Sequence, residues 1–537
     1  MPLRVSNLRL RIEEPESLLP SRLAQVLGVP ADAVRHWRIL RKSLDARDKD
    51  ALQFVYSAEV SVADDEQRLL RQARRKARPA ARIDLYREQP FEMPPPGTRP
   101  LGHRPVVVGS GPGGLVAAYF LAAHGYRPLL LERGRAVSQR IRDVRAFDAG
   151  GPFDPESNYL FGEGGAGTFS DGKLTCRNSG PDVRRVLELF AECKGKPSIR
   201  YDYRPHLGSN RLPAVVKAIR RRIEALGGEV RFDCRLEDLD LADGRLRGVA
   251  TSSGYLAASV VVLAIGHSAR DTYAMLLRRG VPLVSKPFQM GVRVEHPQEL
   301  VNRVQYGPAR LEEQLGSADY ALVAHGRHDL FTFCMCAGGY VMPSVSEPGY
   351  FCTNGMSLSK RDSPFANSGL VVTVPVEAFG GTDPLAGVRL QQTYERRAFE
   401  VGRGDYLCPI QRAPDFLAGR PTRELPPSSY RRGLVLAAVA ELVPPLIVEA
   451  LRHGLPIMDR RWQGRFLPEA TLVGPEARGS SPVRIPRDEA SRQTPGIEGL
   501  YPVGEGAGYA GGIVSAAVDG LRTAKAIIAK YAPLERK

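Results

Sequence analysis

The sequence predicts an α/β protein: a parallel sheet with an antiparallel ribbon, an inserted α+β domain, and a small N-terminal βαββ module. Three observations predict it. Residues 106–134, VVVGSGPGGLVAAYFLAAHGYRPLLLERG, run as strand, Gly-rich turn, apolar helix, strand and acid. Residues 499–529, GLYPVGEGAGYAGGIVSAAVDGLRTAKAIIA, repeat the strand, Gly-rich turn and helix near the far end of the chain. Between them, residues 272–470 change character, with strands separated by Pro and Gly turns.

The N-terminal module comes first. Residues 3–12 alternate apolar and polar, with a one-residue slip before Leu8, and read as a strand. Residues 17–27 read as a helix closed near Gly28, and residues 34–43 and 51–62 as two strands joined by DARDKD. A helix over 64–78 continues the module. Six of the eleven residues from Arg68 to Arg78 are basic, which suits either a solvated face or a contact surface. Residues 91–104, with PPPG and Pro100, form a stiff connector. The expected units are therefore 1–90, the linker 91–104, 105–271, the insertion 272–470, and 471–537.

In residues 106–134 each part has a job. Gly109 makes the tight turn from the strand. Gly111 lets backbone approach a pyrophosphate at the helix N-terminus, where unpaired N–H groups and the dipole favour negative charge. Gly114 lets helix and strand pack closely. Glu132, eighteen residues past Gly114, stands where an acid accepts hydrogen bonds from a ribose. The combination predicts a Rossmann-like dinucleotide site.

After a basic helix over 135–148 comes GEGGAGTFSDGKLTCR, residues 162–177, with five glycines and no periodicity. Such a loop permits close backbone approach, so it is expected against the cofactor, ending in Lys173 and Arg177. Helices follow over 181–194 and 212–226, then a strand, a hairpin, and the buried strand 259–265 ending at Gly266. In the insertion, strands are expected over 289–295, 331–335, 340–343 and 370–375, and helices over 385–401 and 434–451. In the closing segment Gly504, Gly506, Gly508, Gly511 and Gly512 form a second Gly-rich turn without a second strand and acid. It reads as the other half of the first site.

Composition narrows the function classes. With 43% hydrophobic and 25% charged residues the chain matches a soluble globular protein. No apolar run approaches the roughly 20 residues that span a bilayer. The first residues, MPLRVSNLRLRIEEPESLL, lack the apolar core of a signal peptide. The seven cysteines are scattered and form no zinc-type pair, so a cytoplasmic protein without a metal is expected. The net charge of +16 splits as +5 over residues 1–100 and +11 over the rest. Phosphate-bearing ligands account for it as well as nucleic acid does.

These stretches, with VVVLAIG at 260–266, resemble the FAD-dependent oxidoreductases of the glutathione-reductase-like, two-dinucleotide-binding superfamily. WRILRKSLDAR, GEGGAGTFSDGKL, FCMCAGGYV, CTNGMS, FANSGLVV and SSPVRI resemble, more narrowly, the bacterial FAD-dependent dehydrogenases whose substrate is undetermined. The resemblance implies FAD. It implies a pyrophosphate enclosed by Gly109, Ser110, Gly111, Pro112, Gly113 and Gly114, with Gly165 and Gly167 against it. It places Glu132 on the ribose, Arg133 beside the adenosine and the backbone near Arg235 and Leu236 at the adenine, with Gly266 also among the cofactor-binding residues. Glu505 would bind the ribityl or pyrophosphate region, Gly512 and Ile513 would reach the ring, and Gly504 and Gly508 would also bind the cofactor. No C-x-x-C or C-x4-C lies behind the first helix and no second complete fingerprint for NAD(P)H is visible, which departs from the disulfide reductases.

The expected fold class is thus α/β, a Rossmann-like FAD-binding domain with an inserted α+β substrate domain and an N-terminal βαββ module. The expected function is hydride transfer between an organic substrate and flavin N5. Catalytic candidates are Arg293, Lys173 and Cys336. Arg293 alternates with Val292 and Val294 and suits a substrate carboxylate or a salt-bridged sheet face. Lys173 could stabilise an anionic reduced flavin. Cys334 and Cys336 suit a redox pair or two buried thiols. His206 and His296 suit general bases or structural rings. Two other classes stay open: an RNA-binding flavoprotein using the basic N-terminal module, and a non-catalytic flavin-bound scaffold or sensor.

Overall fold

The computed structural model describes residues 2–63, 66–75, 81–176, 179–307 and 312–534. Arg177 and residues 64–65 and 76–78 of the basic helix expected over 64–78 lie outside them.

The N-terminal module contains β1 (Leu3–Arg11), α1 (Leu19–Leu27), β2 (Val34–Asp45), β3 (Gln53–Val62), α2 (Glu66–Arg75) and β4 (Arg82–Leu85). Its sheet runs β2-β3-β1-β4, antiparallel. The slip in β1 is a bulge at Asn7, whose φ of 61° resets the register and keeps Leu3, Val5, Leu8 and Leu10 on the buried face. Gly28, at φ 71°, closes α1. On the other face arginines meet acids: Arg4 with Asp84, Arg9 with Asp45, and Arg38 with Glu59 and Glu88.

The nucleotide-binding unit begins with β5 (Val106–Val108), α3 (Pro112–Ala123), β6 (Leu129–Leu131) and α4 (Val137–Asp148). It continues with α5 (Pro181–Glu192), α6 (Leu212–Ala225), β7 (Glu229–Arg231), the ribbon β8 (Leu236–Ala242), β9 (Arg245–Thr251) and β10 (Gly254–Ala257), then β11 (Val261–Leu263) and α7 (Arg270–Arg278).

The insertion holds β12 (Val284–Ser285), β13 (Phe288–Pro297), α8 (Gln298–Tyr306), α9 (Glu312–Leu315), β14 (Val323–Ala324), β15 (Leu330–Cys336), β16 (Gly339–Pro343), β17 (Thr353–Ser357) and β18 (Phe365–Val374). Then come α10 (Ala386–Val401), β19 (Cys408–Arg412), α11 (Ala413–Leu417), β20 (Leu434–Leu436), α12 (Pro445–Arg461) and β21 (Thr471–Glu476). Its sheet runs β14-β15-β18-β13-β21-β19-β20. The single helix expected over 434–451 is instead a short strand followed by α12. Pro444 and Pro445 lack N–H groups, so a helix cannot run through them, whereas Pro445 can begin one. The expected boundary at 470 falls just before β21. That strand pairs with β13 and so belongs to the inserted sheet.

The chain returns through β22 (Val483–Arg484), β23 (Leu500–Pro502) and α13 (Ile513–Lys530). The parallel sheet is β23-β11-β5-β6-β7, so the last strand sits beside β11, which adjoins β5. All three residues of each of β5, β6, β11 and β23 are buried, as expected for a parallel sheet covered on both faces. Helix α13 lies on α3: a Cβ at Gly520 would overlap the carbonyl oxygen of Gly113. Gly113 also packs on Ala516 in the first turn of α13, and Ile513 and Pro112 both lie beside Gly167, so the N-termini of the two helices stand near one another. Among the described residues no helix is long and apolar enough to cross a membrane.

Candidate functional site

The groove forms where β5 and β23 give way to their helices. Gly109 has φ 98°, and a Cβ there would overlap Ala264 at the end of β11. A Cβ at Gly114 would overlap Gly109. Protein backbone thus requires both glycines. Gly111 differs: a Cβ there would meet no protein atom within 4 Å, and its φ of −67° suits any residue. Its bare side faces the open end of α3, whose first N–H groups have no helical partners. Pro112 opens the helix and Gly113 packs on α13.

The loop after α4 closes on this turn. Gly165, at φ 62°, lies so near that a Cβ would stand 3.1 Å from Gly111. Gly167 meets Ile513 and Pro112. The loop is held from beneath by Arg140, which is fully buried. Its Nε donates to the carbonyl of Asn158 at 2.8 Å, and its Nη1 to the carbonyls of Gly162, Glu163 and Gly165 at 3.1, 2.9 and 2.8 Å. Its Nη2 is buried with no hydrogen-bond partner. Glu163, buried, accepts from Arg220 at 2.8 Å and from the Val137 N–H at 2.7 Å.

Glu132 is buried and accepts four hydrogen bonds. The Ser110 N–H and hydroxyl reach Oε2 at 2.9 and 2.6 Å, and the Gly134 and Gly162 N–H groups reach Oε1 at 2.9 and 3.0 Å. A carboxylate has about four acceptor positions. Protein donors reach both oxygens, so Glu132 clasps the turn to the second loop. Arg133 pairs with Glu156 at 2.7 Å and Asp271 at 3.0 Å and stacks on Phe161. Leu236 is buried at the start of β8, and Gly266, at φ 69°, has an open flank.

From the other side come Gly504, at φ 77°, and Gly508, at φ 81°. Asp519 holds Gly504 by its N–H at 2.8 Å, and Arg487 grips the same carboxylate at 2.8 and 2.7 Å. Glu505 accepts from the Ser481 N–H at 2.7 Å; burial raises its pKa, against that bond and Lys286. Gly512 caps α13 and, with Gly511, lies at the surface of the groove. Two helix N-termini, one bare glycine flank at Gly111 and a buried cation with an unused donor at Arg140 fit an extended anionic dinucleotide such as FAD.

Two of the catalytic candidates, Arg293 and Cys336, sit in the insertion, and Lys173 sits in the Gly-rich loop of the nucleotide-binding unit. Arg293 is fully buried in β13. Its Nε and Nη2 bind Glu476 at 2.7 and 2.9 Å, Nη1 binds Asn367 at 2.7 Å and the Cys334 carbonyl at 3.3 Å, and Nη2 also binds Asn354 at 3.1 Å. All five guanidinium donors are spent inside the protein, which corrects the substrate-clamp expectation: β13 lies mid-sheet with both faces covered. Glu295, two residues along β13 and so on the same face as Arg293, is tied to Ser428 and Ser429. His296 is buried against Tyr320, Trp462 and Phe466 and bonds the Phe466 carbonyl at 2.9 Å. Its role in the structure is packing. His206 lies apart from it, bridging the backbone of Lys173.

Lys173 bonds the carbonyl of Met335 and pairs with Asp171 at 3.0 Å. Burial pushes its pKa down, but the Asp171 carboxylate and the nearby cysteine sulfurs outweigh burial and raise it, so it stays cationic. Asp171 also binds Arg361 at 2.7 Å and Ser357. Lys173 therefore joins the Gly-rich loop to the Cys334–Cys336 turn. Arg140, Asp171, Arg361 and Glu476 escaped the sequence reading. Each is an ordinary charged residue whose burial comes only from contacts distant in sequence. Among the described residues no group of three or more His, Cys, Asp or Glu side chains is placed to hold a metal ion.

Residues 287–479 match the family described as FAD-dependent protein, C-terminal domain-like. Residues 107–168 match an NAD(P)-binding Rossmann-like domain, and residues 2–61 a domain of unknown function. An uncharacterized protein of Clostridium beijerinckii (strain ATCC 51743 / NCIMB 8052) is 40% identical over 536 residues, covering 99% of both chains. Among solved structures, L-proline dehydrogenase from P. horikoshii is 11% identical, with a TM-score of 0.35 over 80% of this chain and 93% of that one. Glycine oxidase from Bacillus cereus ATCC 14579 is 11% identical, with a TM-score of 0.32 over 79% of this chain and 95% of that one. Scores of this size bear on neither substrate nor reaction.

Proposed function

This chain belongs to the FAD-dependent oxidoreductases, and from that premise we propose that it moves a hydride between a small organic substrate and the flavin N5. One observation carries the reading: two Gly-rich strand-to-helix turns from opposite ends of the chain face one groove, through α3 and α13 packed at Gly113 and Gly520. Bound FAD supplies the two-electron chemistry. The chain binds, orients and tunes.

Gly111 and the first N–H groups of α3 receive the pyrophosphate, with the field of α3 and the Arg140 charge favouring it. The Gly165–Gly167 loop covers it. Gly512 and the N-terminus of α13 favour negative charge at the ring end. Lys173, a cation at the margin of the loop, acts in the same direction. The insertion, roofed by its seven-stranded sheet, carries substrate specificity.

The test is a metabolite screen on purified, FAD-loaded protein under anaerobic conditions, following bleaching of the flavin band. Bleaching by one compound class identifies the reductive half-reaction. Colourless protein that neither binds nor quenches added FAD overturns the reading.

A further inference from the structure

All seven cysteines are free, and two of them, Cys334 and Cys336, stand two residues apart at the end of β15. The pairing of β15 with β18 loses register between Phe333 and Cys336, and Cys334 has φ 46°. A left-handed non-glycine residue is uncommon, and strain of this kind concentrates at functional sites. The bulge breaks strand alternation and folds the pair together: Cys336 Sγ donates to the Cys334 carbonyl at 3.3 Å. Cys334 is partly exposed, whereas Cys336 is buried. Two cations hold the turn. Lys173 bonds the carbonyl of Met335, between the two cysteines, and Arg293 Nη1 reaches the Cys334 carbonyl at 3.3 Å.

We propose that Cys334 and Cys336 form a redox-active dithiol, a second two-electron centre, which takes small organic disulfides as oxidant. Cys334 is the attacking thiolate and Cys336 the resolving thiol. The neighbouring Cys336 thiol and the charges of Lys173 and Arg293 favour the Cys334 thiolate against the cost of burial, so the Cys334 pKa is lowered. The neighbouring Cys334 sulfur and burial hold the Cys336 proton on, and that proton points at the Cys334 carbonyl. The Cys334 thiolate attacks one sulfur of R–S–S–R, forming a mixed disulfide and releasing RS⁻. Cys336 then passes its proton to the released RS⁻, giving RSH, and attacks Cys334 Sγ, closing the Cys334–Cys336 disulfide and releasing the second RS⁻, which takes a proton from water. Two protein thiols are oxidised and one R–S–S–R is reduced to two thiols.

This centre goes beyond the flavin reading and does not depend on it, because its test counts thiols. The FAD-loaded full chain is treated with hydroxyethyl disulfide, and the peptide spanning both cysteines is analysed by mass spectrometry. Wild type is expected to lose two hydrogens and keep no adduct. C336S is expected to keep one adduct, on Cys334, and C334S none. In untreated wild type at pH 6, iodoacetamide is expected to label Cys334 about tenfold faster than Cys176, which is also partly exposed. This labelling needs no variant to fold. Wild type that keeps both thiols, adducts confined to other cysteines, or Cys334 labelled no faster than Cys176 each overturn the proposal.

Discussion

Ser110 gives both its backbone N–H and its hydroxyl to the same oxygen of Glu132, at 2.9 and 2.6 Å. The other oxygen takes the N–H groups of Gly134 and Gly162. One carboxylate thus ties the first Gly-rich turn to the end of β6 and to the second Gly-rich loop. E132Q replaces one acceptor with a donor facing donors, so the clasp opens. FAD occupancy, read as the flavin-to-protein absorbance ratio, is expected to fall at least tenfold. S110A removes one hydroxyl and is expected to cost about 1–2 kcal/mol of thermal stability with a smaller loss of FAD. A Gln variant that keeps full occupancy would show that the clasp is dispensable.

Two glycines in the same turn are expected to respond oppositely. A Cβ at Gly111 meets no protein atom within 4 Å, so G111A folds with near wild-type stability in the absence of FAD but binds FAD at least tenfold more weakly. A Cβ at Gly114 overlaps Gly109, so G114A loses stability before cofactor is considered. Thermal melts of apoprotein beside FAD titrations separate the two. Equal melting points would refute the assignment of Gly111 to the ligand and Gly114 to packing.

Arg293 and Glu476 form a fully buried pair, so removing one partner leaves an uncompensated charge. R293M is expected to cost about 3–5 kcal/mol, and the double variant R293M/E476M markedly less. Urea unfolding of the three proteins measures the difference. If R293M instead keeps its stability and raises only a substrate KM, the side chain is a substrate clamp after all.

Acid is expected to unfold the protein partly through its buried histidines. Burial lowers the pKa of His296 from 6.5 to about 4, against the hydrogen bond to the Phe466 carbonyl. His206, at about 4, and His267, at about 3, shift the same way, burial first in each case. The unfolded chain takes up these protons near pH 6.5 and the folded one does not. Their contribution is therefore complete above pH 6.5 and fades as pH falls toward 4. For His296 this is at most about 3 kcal/mol. H296F is expected to flatten the stability-against-pH slope in that window by about one proton, read from urea midpoints. An unchanged slope would mean that His296 titrates freely.

Much was legible in local pattern. The nucleotide turn, its helix and its second strand follow from glycine spacing and apolar runs, because close backbone packing and strand burial are requirements that neighbouring residues state together. The slip in β1 appeared in sequence as a break in alternation before Leu8 and in structure as the bulge at Asn7. The helix misread over 434–451 shows where pattern fails: apolar spacing outvoted Pro444 and Pro445, although a missing N–H is decisive.

By itself the sequence determined two Gly-rich strand-to-helix turns, at residues 106–134 and 499–529, since each depends on contacts within a few residues, whereas the packing of α13 on α3 at Gly520 and Gly113 joins positions far apart in the chain. Only tertiary structure decided what the charged side chains do. Arg293, which alternation offered to a substrate, is locked to Glu476, 183 positions away, because β13 has neighbours on both sides. Glu132, which spacing offered to a ribose, meets Ser110 and Gly162. Lys173 meets Met335, and so joins the Gly-rich loop to the cysteine turn. A long polar side chain carries no mark of its partner in its own neighbourhood. Desolvation and pairing choose it once the sheets have stacked.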